Sequence, residues 1–410
     1  MGVIIILPQK DHLMKPANSI LSSYGVTVFE TMSRLAMEHG AINLGQGFPD
    51  SNGPKDLRDV AAKAIIDGPN QYPPMMGIPE LRQAVAVHNK RFYDLDIDWM
   101  SEVMVTSGAT EAINDCLMAL IEPGDEVVLI EPLYDCYLPL VRRAGGVPKL
   151  VRIEPPEWRL DESQLTDAFS DKTKLILLNS PHNPSAKVFG DVELSLIADL
   201  VIKHDAYAVC DEVYEHILFD GIKHRPLMTL PNMRDRCVRI GSAGKTFSMT
   251  AWKVGYITAP PELLSVIAKA HQFVTFTTPV NFQQATAYGL NQDDGYFSGL
   301  AKDLETKRNL LGGALKAAGF DVMKAAGTYF LSIDIRSIGY TGSDVNFCED
   351  ITKNAGVSAI PLSAFYGPGS GVVDHFVRFC FCKQDDVLLS AAEKLNHWLM
   401  NNFKRTSQPA

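Results

Sequence analysis

The chain has 410 residues, 46% hydrophobic and 21% charged, with a formal net charge of −10 and an isoelectric point near 5.5. This is the composition of a globular protein long enough for two domains, and it excludes an intrinsically disordered chain or a coiled coil. An acidic surface repels polyanions, which excludes nucleic acid and an anionic membrane as principal partners and leaves small molecules.

In chain order, Val3 to Leu7 is a short apolar run with no basic segment before it and Pro8-Gln9-Lys10-Asp11 directly after it, too brief for the core of a secretion signal. Ile6 stands where a myristoylation motif at Gly2 needs Ser or Thr, and no apolar stretch is long enough to cross a membrane. From residue 103 onward, apolar runs rich in β-branched residues alternate with segments of helical period: Val103-Met104-Val105, Val127 to Ile130, Leu175 to Leu178, Ala206 to Cys210 and Val238-Arg239-Ile240. Continuous apolar strands with room for a helix between them predict an α/β fold built on a mostly parallel sheet covered on both faces. In such sheets ligands gather at the carboxyl ends of the strands. Polar clusters follow those runs at once: Thr106 to Thr110, Glu131-Pro132-Leu133-Tyr134, Asn179 to Pro184, Asp211-Glu212-Val213-Tyr214, and Gly241 to Phe247. After about residue 300 a charged helix, Leu300 to Ala318, leads into Gly327 to Ile333 and Phe376 to Phe379, which predict a smaller α/β unit with an antiparallel sheet. The glycine-rich Tyr366 to Gly371 does not run from strand into helix and reads as a turn. The seven cysteines are scattered through apolar runs and read as thiols in a reducing compartment, with Cys380 and Cys382 on one face of a strand Val377 to Cys382, packing rather than binding metal.

Several of these residues carry chemistry. Lys245 lies among small residues at a strand end, where its amine is desolvated, its pKa lowered and Schiff-base formation favoured; Lys253, eight positions on, suits a phosphate as a point charge. Ser107 to Ala112 reads as a strand-to-helix turn, either an ordinary N-cap with Ser107 capping or a phosphate site on free amides. Asp211 follows a buried strand and needs a cationic or N–H partner, a pyridinium nitrogen or a neighbouring arginine. Tyr214 can donate its phenol to a ligand oxygen or to the backbone, Tyr134 can stack on a ring or pack, and Asn183 offers its amide or simply turns the chain. Arg378, between Val377 and Phe379, is buried and requires an anion; its planar fork matches a carboxylate.

Taken together, the segments Ser242 to Phe247 with Trp252 to Gly255, Asn179 to Phe189, Cys210 to His216, Ile42 to Asp50, Asn70 to Arg82 and Phe376 to Phe381 resemble the class I and II aminotransferases of the fold-type I pyridoxal-phosphate enzymes. The resemblance covers nearly the whole chain and is nearest to the branch of kynurenine aminotransferase I, glutamine transaminase K and bacterial methionine aminotransferases. It implies a large domain, 51–300, with a mostly parallel seven-stranded sheet between helices, a smaller α/β C-terminal domain, 301–410, and an N-terminal segment, 1–50, packing with the small domain and the active site. It implies pyridoxal 5′-phosphate as cofactor, amino acids and 2-oxo acids as substrates, a cytoplasmic homodimer, and no metal, nucleic acid or membrane.

By the same resemblance, Lys245 carries the cofactor and shuttles the proton, and Asp211 keeps the pyridine nitrogen protonated. Tyr214 and Asn183 hold the ring oxygen, with Asn179 supporting and Tyr134 stacking. The phosphate is bound around Gly108, Ala109 and Thr110, with Ser242 and Lys253, and by Tyr72 of the other subunit. Arg378, Asn183 and the backbone at Gly47 bind the substrate carboxylate. The chain departs from the family at Ser180, at Ser185-Ala186, where Thr-Gly is usual, and at Phe276-Thr277, where kynurenine-type enzymes have Phe-His. With no second arginine pattern for a side-chain carboxylate, a neutral donor of methionine, glutamine or aromatic type is expected. The alternatives are β-elimination from cysteine conjugates, an aspartate-type aminotransferase, and a cofactor-bound regulator without turnover.

Overall fold

The computed structural model describes residues 15–367 and 373–403; Gly2, Val3 to Leu7 and most of the glycine-rich turn lie outside them. The helix Val28–Glu38 starts at Thr27, whose hydroxyl accepts the Glu30 N–H, and leads into the short strand β1 (Ile42–Asn43). Seven strands then form the central sheet: β2 (Val103–Thr106), β3 (Glu126–Glu131), β4 (Val147–Arg152), β5 (Thr173–Asn179), β6 (Tyr207–Asp211), β7 (Cys237–Ser242) and β8 (Gly255–Thr258). Their order is β2-β8-β7-β6-β5-β3-β4, and only β8 runs against the others. Five of the seven coincide with the apolar runs predicted from sequence; β4 escaped because it is partly polar (Val147-Pro148-Lys149), and β8 because it is only four residues long and opens on Gly255.

Both faces of the sheet are covered. Alternate residues of one strand point to opposite faces, and Val127 and Leu129 join one apolar cluster while Val128 and Ile130 join another; Leu175 and Leu177 separate from Ile176 and Leu178 in the same way. The antiparallel β8 has a direct consequence. Because it begins at the edge where its parallel neighbours end, the loop from Ala243 to Val254 stays at the carboxyl edge, together with the segments leaving β2, β3, β5 and β6.

The C-terminal part holds β9 (Asp321–Val322), β10 (Phe330–Asp334), β11 (Val357–Ser358), β12 (Ile360–Pro361) and β13 (Phe376–Cys380). Four of them make an antiparallel sheet in the order β12-β13-β10-β9, while β11 pairs in parallel with β1 and so ties the N-terminal segment to this part of the chain. The charged helix begins earlier than its composition implied, at Asp294, because Asp293 accepts the Tyr296 N–H as its cap; it ends at Gly319 in the left-handed conformation. Strand β13 stops at Cys380, short of Cys382, and the two sulfurs lie 3.1 Å apart in the interior. Among the described residues no helix is long and apolar enough to cross a membrane.

Beneath the carboxyl edge, Arg239 of β7 is buried with Glu212 at 2.6 Å and Glu215 at 3.0 Å; Tyr93 donates to Glu215 at 2.7 Å and its ring faces the guanidinium at 4.4 Å. Burial alone would raise the Glu215 carboxyl, but His88, Arg239, His216 and the Tyr93 hydroxyl outweigh it and hold it down at about 2. Removing the arginine leaves two buried carboxylates without their cation. Arg239→Leu is therefore expected to lose about 3–5 kcal/mol of stability, read as a lower denaturant midpoint. Glu215 titrates below its ordinary value, so its contribution is complete at neutral pH and is lost as the pH falls from about 4.5 toward 2. An Arg239→Leu midpoint equal to that of the parent protein contradicts this account.

Candidate functional site

A cavity of roughly 390 Å³ opens at the carboxyl edge of the central sheet, lined there by Gly108, Tyr134, Asn183, Asp211, Tyr214 and Lys245, and closed from the other side by Gly47, Phe330 and Arg378. Ala109, Thr110, Asn179, Ser242 and Lys253 line it as well. Every residue singled out from sequence is in this wall except Tyr72. Tyr72 stands 84% exposed on a different face, edge-on to Phe276 at 5.7 Å.

The turn after β2 is shaped by glycine. Gly108 has φ +83 and caps the helix Ala109–Leu120 through its backbone. The reading of Ser107 as a side-chain cap is incorrect: its hydroxyl meets the Thr278 hydroxyl at 3.1 Å, and its N–H donates to Glu111. The helix amides at Ala109 and Thr110 therefore face the cavity without a capping side chain, which is how a helix N-terminus receives an anion. A Cβ on Gly108 would lie 3.1 Å from Lys253 Nζ, so the ammonium reaches directly over this turn. Lys253 itself is in the left-handed conformation, φ +52, at the start of β8.

Asp211 ends β6 and is 5% exposed. Arginine does not neutralise it, since Arg239 is spent on Glu212 and Glu215 on the other side of the strand. Its partners are the Tyr137 hydroxyl and the Val213 N–H, and burial raises its pKa above the ordinary carboxylate value. A carboxylate in this state is suited to a cationic N–H donor in the cavity. Tyr137, three residues beyond Tyr134 and edge-on to it at 5.7 Å, was not foreseen; its spacing on the same turn is the only sequence signal for it.

Asn179 braces the neighbouring turn. Its amide donates to the Asp211 carbonyl at 2.9 Å and its oxygen accepts the Asn183 N–H at 2.8 Å. The departure at Ser185-Ala186 is accommodated: Ala186 takes φ +60, the conformation a glycine would adopt without strain, and the Ser185 hydroxyl pairs with His182 at 2.7 Å and accepts from Lys187 N–H.

Arg378 is 1% exposed on β13. Its guanidinium donates to Asn183 Oδ1 at 2.7 Å and to the Gly45 carbonyl at 3.0 Å, sits 3.8 Å from the Phe330 ring centre, and keeps a buried Nε–H with no acceptor. The Gly45 carbonyl thus braces the guanidinium from the N-terminal segment, while Gly47 lines the cavity and lies against Phe330 and Tyr329. Burial lowers the Arg378 pKa to about 10, so it remains a cation at neutral pH, facing neutral dipoles and aromatic faces. Lys245 sits on the short helical turn Ala243–Thr246 that follows β7, its pKa lowered by desolvation, with Nζ 2.8 Å from Tyr329 Oη. Phe330, Phe29, Phe48 and Asp135 of the cavity wall, and Tyr329 behind Lys245, carry no sequence signal as site residues, because each belongs to an apolar run or loop that only the fold brings there.

A family model described as aminotransferase class I and II matches residues 39–395. The chain is 39% identical over 377 residues to the methionine aminotransferase of Escherichia coli, covering 92% of this chain and 97% of that protein. It is 38% identical over 420 residues to a kynurenine–oxoglutarate transaminase of Dictyostelium discoideum, covering 94% and 96%. The solved structure of N-succinyldiaminopimelate aminotransferase from Mycobacterium tuberculosis is similar at a TM-score of 0.90 and 41% identity, over 93% of this chain and all of that one.

Gly255, packed against the anion turn and the Thr106 hydroxyl, gives a test of it. A Cβ there would meet the Gly108 carbonyl carbon at 2.6 Å and the Ala109 nitrogen at 2.8 Å, both backbone atoms. Gly255→Ala is expected to displace the turn at a cost of about 1–3 kcal/mol, weakening pyridoxal 5′-phosphate binding roughly tenfold or more by equilibrium titration. Unchanged affinity would remove the turn from the site.

Proposed function

The chain belongs to the class I and II aminotransferases, pyridoxal-phosphate enzymes of fold type I, and we propose that it moves the amino group of a neutral amino acid to a 2-oxo acid in two alternating half-reactions. The observation that carries the substrate reading is the make-up of the cavity. Its cations are Lys245, Lys253 and Arg378, with Phe29, Phe48, Tyr134 and Phe330 around them. Once two cations serve the cofactor and one the α-carboxylate, none is left among the described residues lining the cavity for a side-chain carboxylate. This favours a methionine, glutamine or aromatic donor over an aspartate-type one.

The residues present fit the cofactor: a glycine turn beneath an ammonium, a buried carboxylate without a cation, and an amine of lowered pKa at one cavity. When bound, pyridoxal 5′-phosphate supplies the aldehyde that captures an amino group and a ring that delocalises the electron pair left at Cα. In this reading Gly108, Ala109, Thr110, Ser242 and Lys253 hold the phosphate, and Asp211 keeps a proton on the ring nitrogen, oriented by the Tyr137 hydroxyl. Tyr214, Asn183 and Asn179 fix the ring oxygen, and Tyr134 covers the ring face. Arg378 takes the α-carboxylate with its unused Nε–H, steered by Asn183. Lys245 is the attachment point, and its neutral amine takes the proton from Cα and returns it on the far side of the reaction. That exchange demands an amine whose pKa has been brought down toward neutrality, which is the direction burial imposes here.

The same reading makes the protein a cytoplasmic homodimer in which Tyr72 completes the partner's phosphate site. The support for the dimer is the exposure of Tyr72 at 84% and Phe273 at 79%, large rings on the face around Pro73 and Thr275. The support for the compartment is seven cysteines, all free. The division into 1–50, 51–300 and 301–410 is part of the same reading; among the described residues the β1–β11 pairing supports grouping the N-terminal segment with the small domain.

The test is the visible spectrum of the cofactor-loaded protein titrated with single amino acids in the absence of acceptor. Methionine, glutamine or an aromatic amino acid is expected to bleach the long-wavelength band, and Lys245→Ala to abolish that response. Bleaching by aspartate or glutamate alone overturns the donor class. Arg378→Ala is expected to raise the donor KM by roughly a hundredfold, the scale of losing a buried charged partner; an unchanged KM removes it from the carboxylate site.

A further inference from the structure

We infer that Tyr329 is a positioning residue for the amine of Lys245, holding it as an oriented acceptor of the substrate proton and linking it to the N-terminal segment; this rests on the role proposed above for Lys245. The phenol has one proton. Tyr329 Oη donates it to the Gly47 carbonyl at 2.7 Å, which leaves only oxygen lone pairs for its other neighbours. Lys245 Nζ donates into one of them at 2.8 Å. The Tyr214 ring packs edge-on against the Tyr329 ring, so the phenol joins the lysine to the Gly47 backbone beside the ring-oxygen tyrosine. Burial raises the Tyr329 pKa well above its ordinary value, so the phenol keeps its proton and the direction of the chain Lys245 to Tyr329 to Gly47 does not reverse at working pH. An amine that spends one N–H on Tyr329 has its lone pair held away from that oxygen.

The fold invests strain to put Tyr329 there. Gly327 has no room for a side chain, since a Cβ would lie 2.9 Å from the Ile217 carbonyl oxygen and from Pro181. Thr328 follows with φ +64 and is fully buried, a left-handed conformation that a β-branched residue rarely takes. Its N–H donates to the Ile217 carbonyl and its hydroxyl accepts the Phe330 N–H, which pins the turn. On the far side the Phe381 N–H donates to the Tyr329 carbonyl at 3.0 Å, and the ring is wedged edge-on to Tyr214 at 5.2 Å and to Phe330 at 4.8 Å. Phe330 in turn covers Arg378. The hydroxyl therefore has one available position, at Lys245.

Tyr329→Phe keeps the ring and removes the acceptor. An acceptor stabilises an ammonium more than a neutral amine, because hydrogen bonds to charged groups are about twice as strong. The pKa of Lys245 in the cofactor-free full-length variant is therefore expected to fall by about half to one unit, read from the pH dependence of its acetylation rate by peptide mass spectrometry. With the cofactor bound, the half-reaction with an α-deuterated donor is expected to slow about tenfold with a larger primary isotope effect and little change in KM. An unmoved titration curve overturns the inference, and so does an unmoved isotope effect; either result makes Tyr329 a packing residue only. If the phenylalanine variant does not fold, 3-fluorotyrosine placed at 329 weakens the acceptor at nearly the same shape and takes the same two measurements. The titration needs no cofactor, so it stands apart from the spectral test of Lys245→Ala, whose failure would remove the proposed reaction instead.

Discussion

The guanidinium of Arg378 is where three distant parts of the chain are made to meet. A fully desolvated cation is tolerated only if dipoles and aromatic faces surround it, and here they come from Gly45 in the N-terminal segment, Asn183 after β5, and Phe330 on β10. Fold and site cannot be separated at this point. The same contacts that make the burial bearable draw the N-terminal segment and the C-terminal sheet over the carboxyl edge of the central sheet, and so form the cavity. The buried Nε–H of the fork has no acceptor among the described residues.

The rest of the site follows from strand direction. Parallel strands finish at one edge, and the single antiparallel strand β8 starts there, so the two lysines within the Ala243 to Val254 segment remain on the same side as Asp211 and Gly108. Packing at this edge is tight enough to exclude even a methyl group between Gly255 and the Gly108 turn. Charge is sorted by the alternation of side chains after β6. Glu212 and Glu215 turn beneath the edge and saturate Arg239, while Asp211 turns into the cavity and meets only hydrogen-bond donors. A stretch with three carboxylates in five residues thus yields one ion-pair network and one acid available to a ligand, with opposite pKa directions at Glu215 and Asp211.

Much of this was legible in the residues. The apolar runs marked five of the seven central strands, and the polar clusters behind them held about half of the cavity wall. What failed were choices between local alternatives. Ser107 has the chemistry of a cap, but Gly108 reaches the left-handed conformation more easily and takes the position, leaving the serine to Thr278. Ala186 replaces the usual glycine and still closes the turn, because Ser185 supplies compensating bonds. Tyr329 gave no signal and Tyr137 only its spacing from Tyr134, since an aromatic residue in an apolar run is indistinguishable from core until its hydroxyl is seen to have a partner.

By itself the sequence determined the class of fold, the reactive groups and the edge on which they gather, because strand periodicity and the residues directly behind each strand are local properties of the chain. The tertiary structure decided which carboxylate keeps an arginine and which does not, that the Gly45 carbonyl supports Arg378, and that a tyrosine more than eighty residues away meets Lys245. These are contacts between segments far apart in the chain, fixed by strand order, by the one antiparallel strand and by the cost of leaving a buried charge or hydroxyl without a partner, none of which is written at any single position.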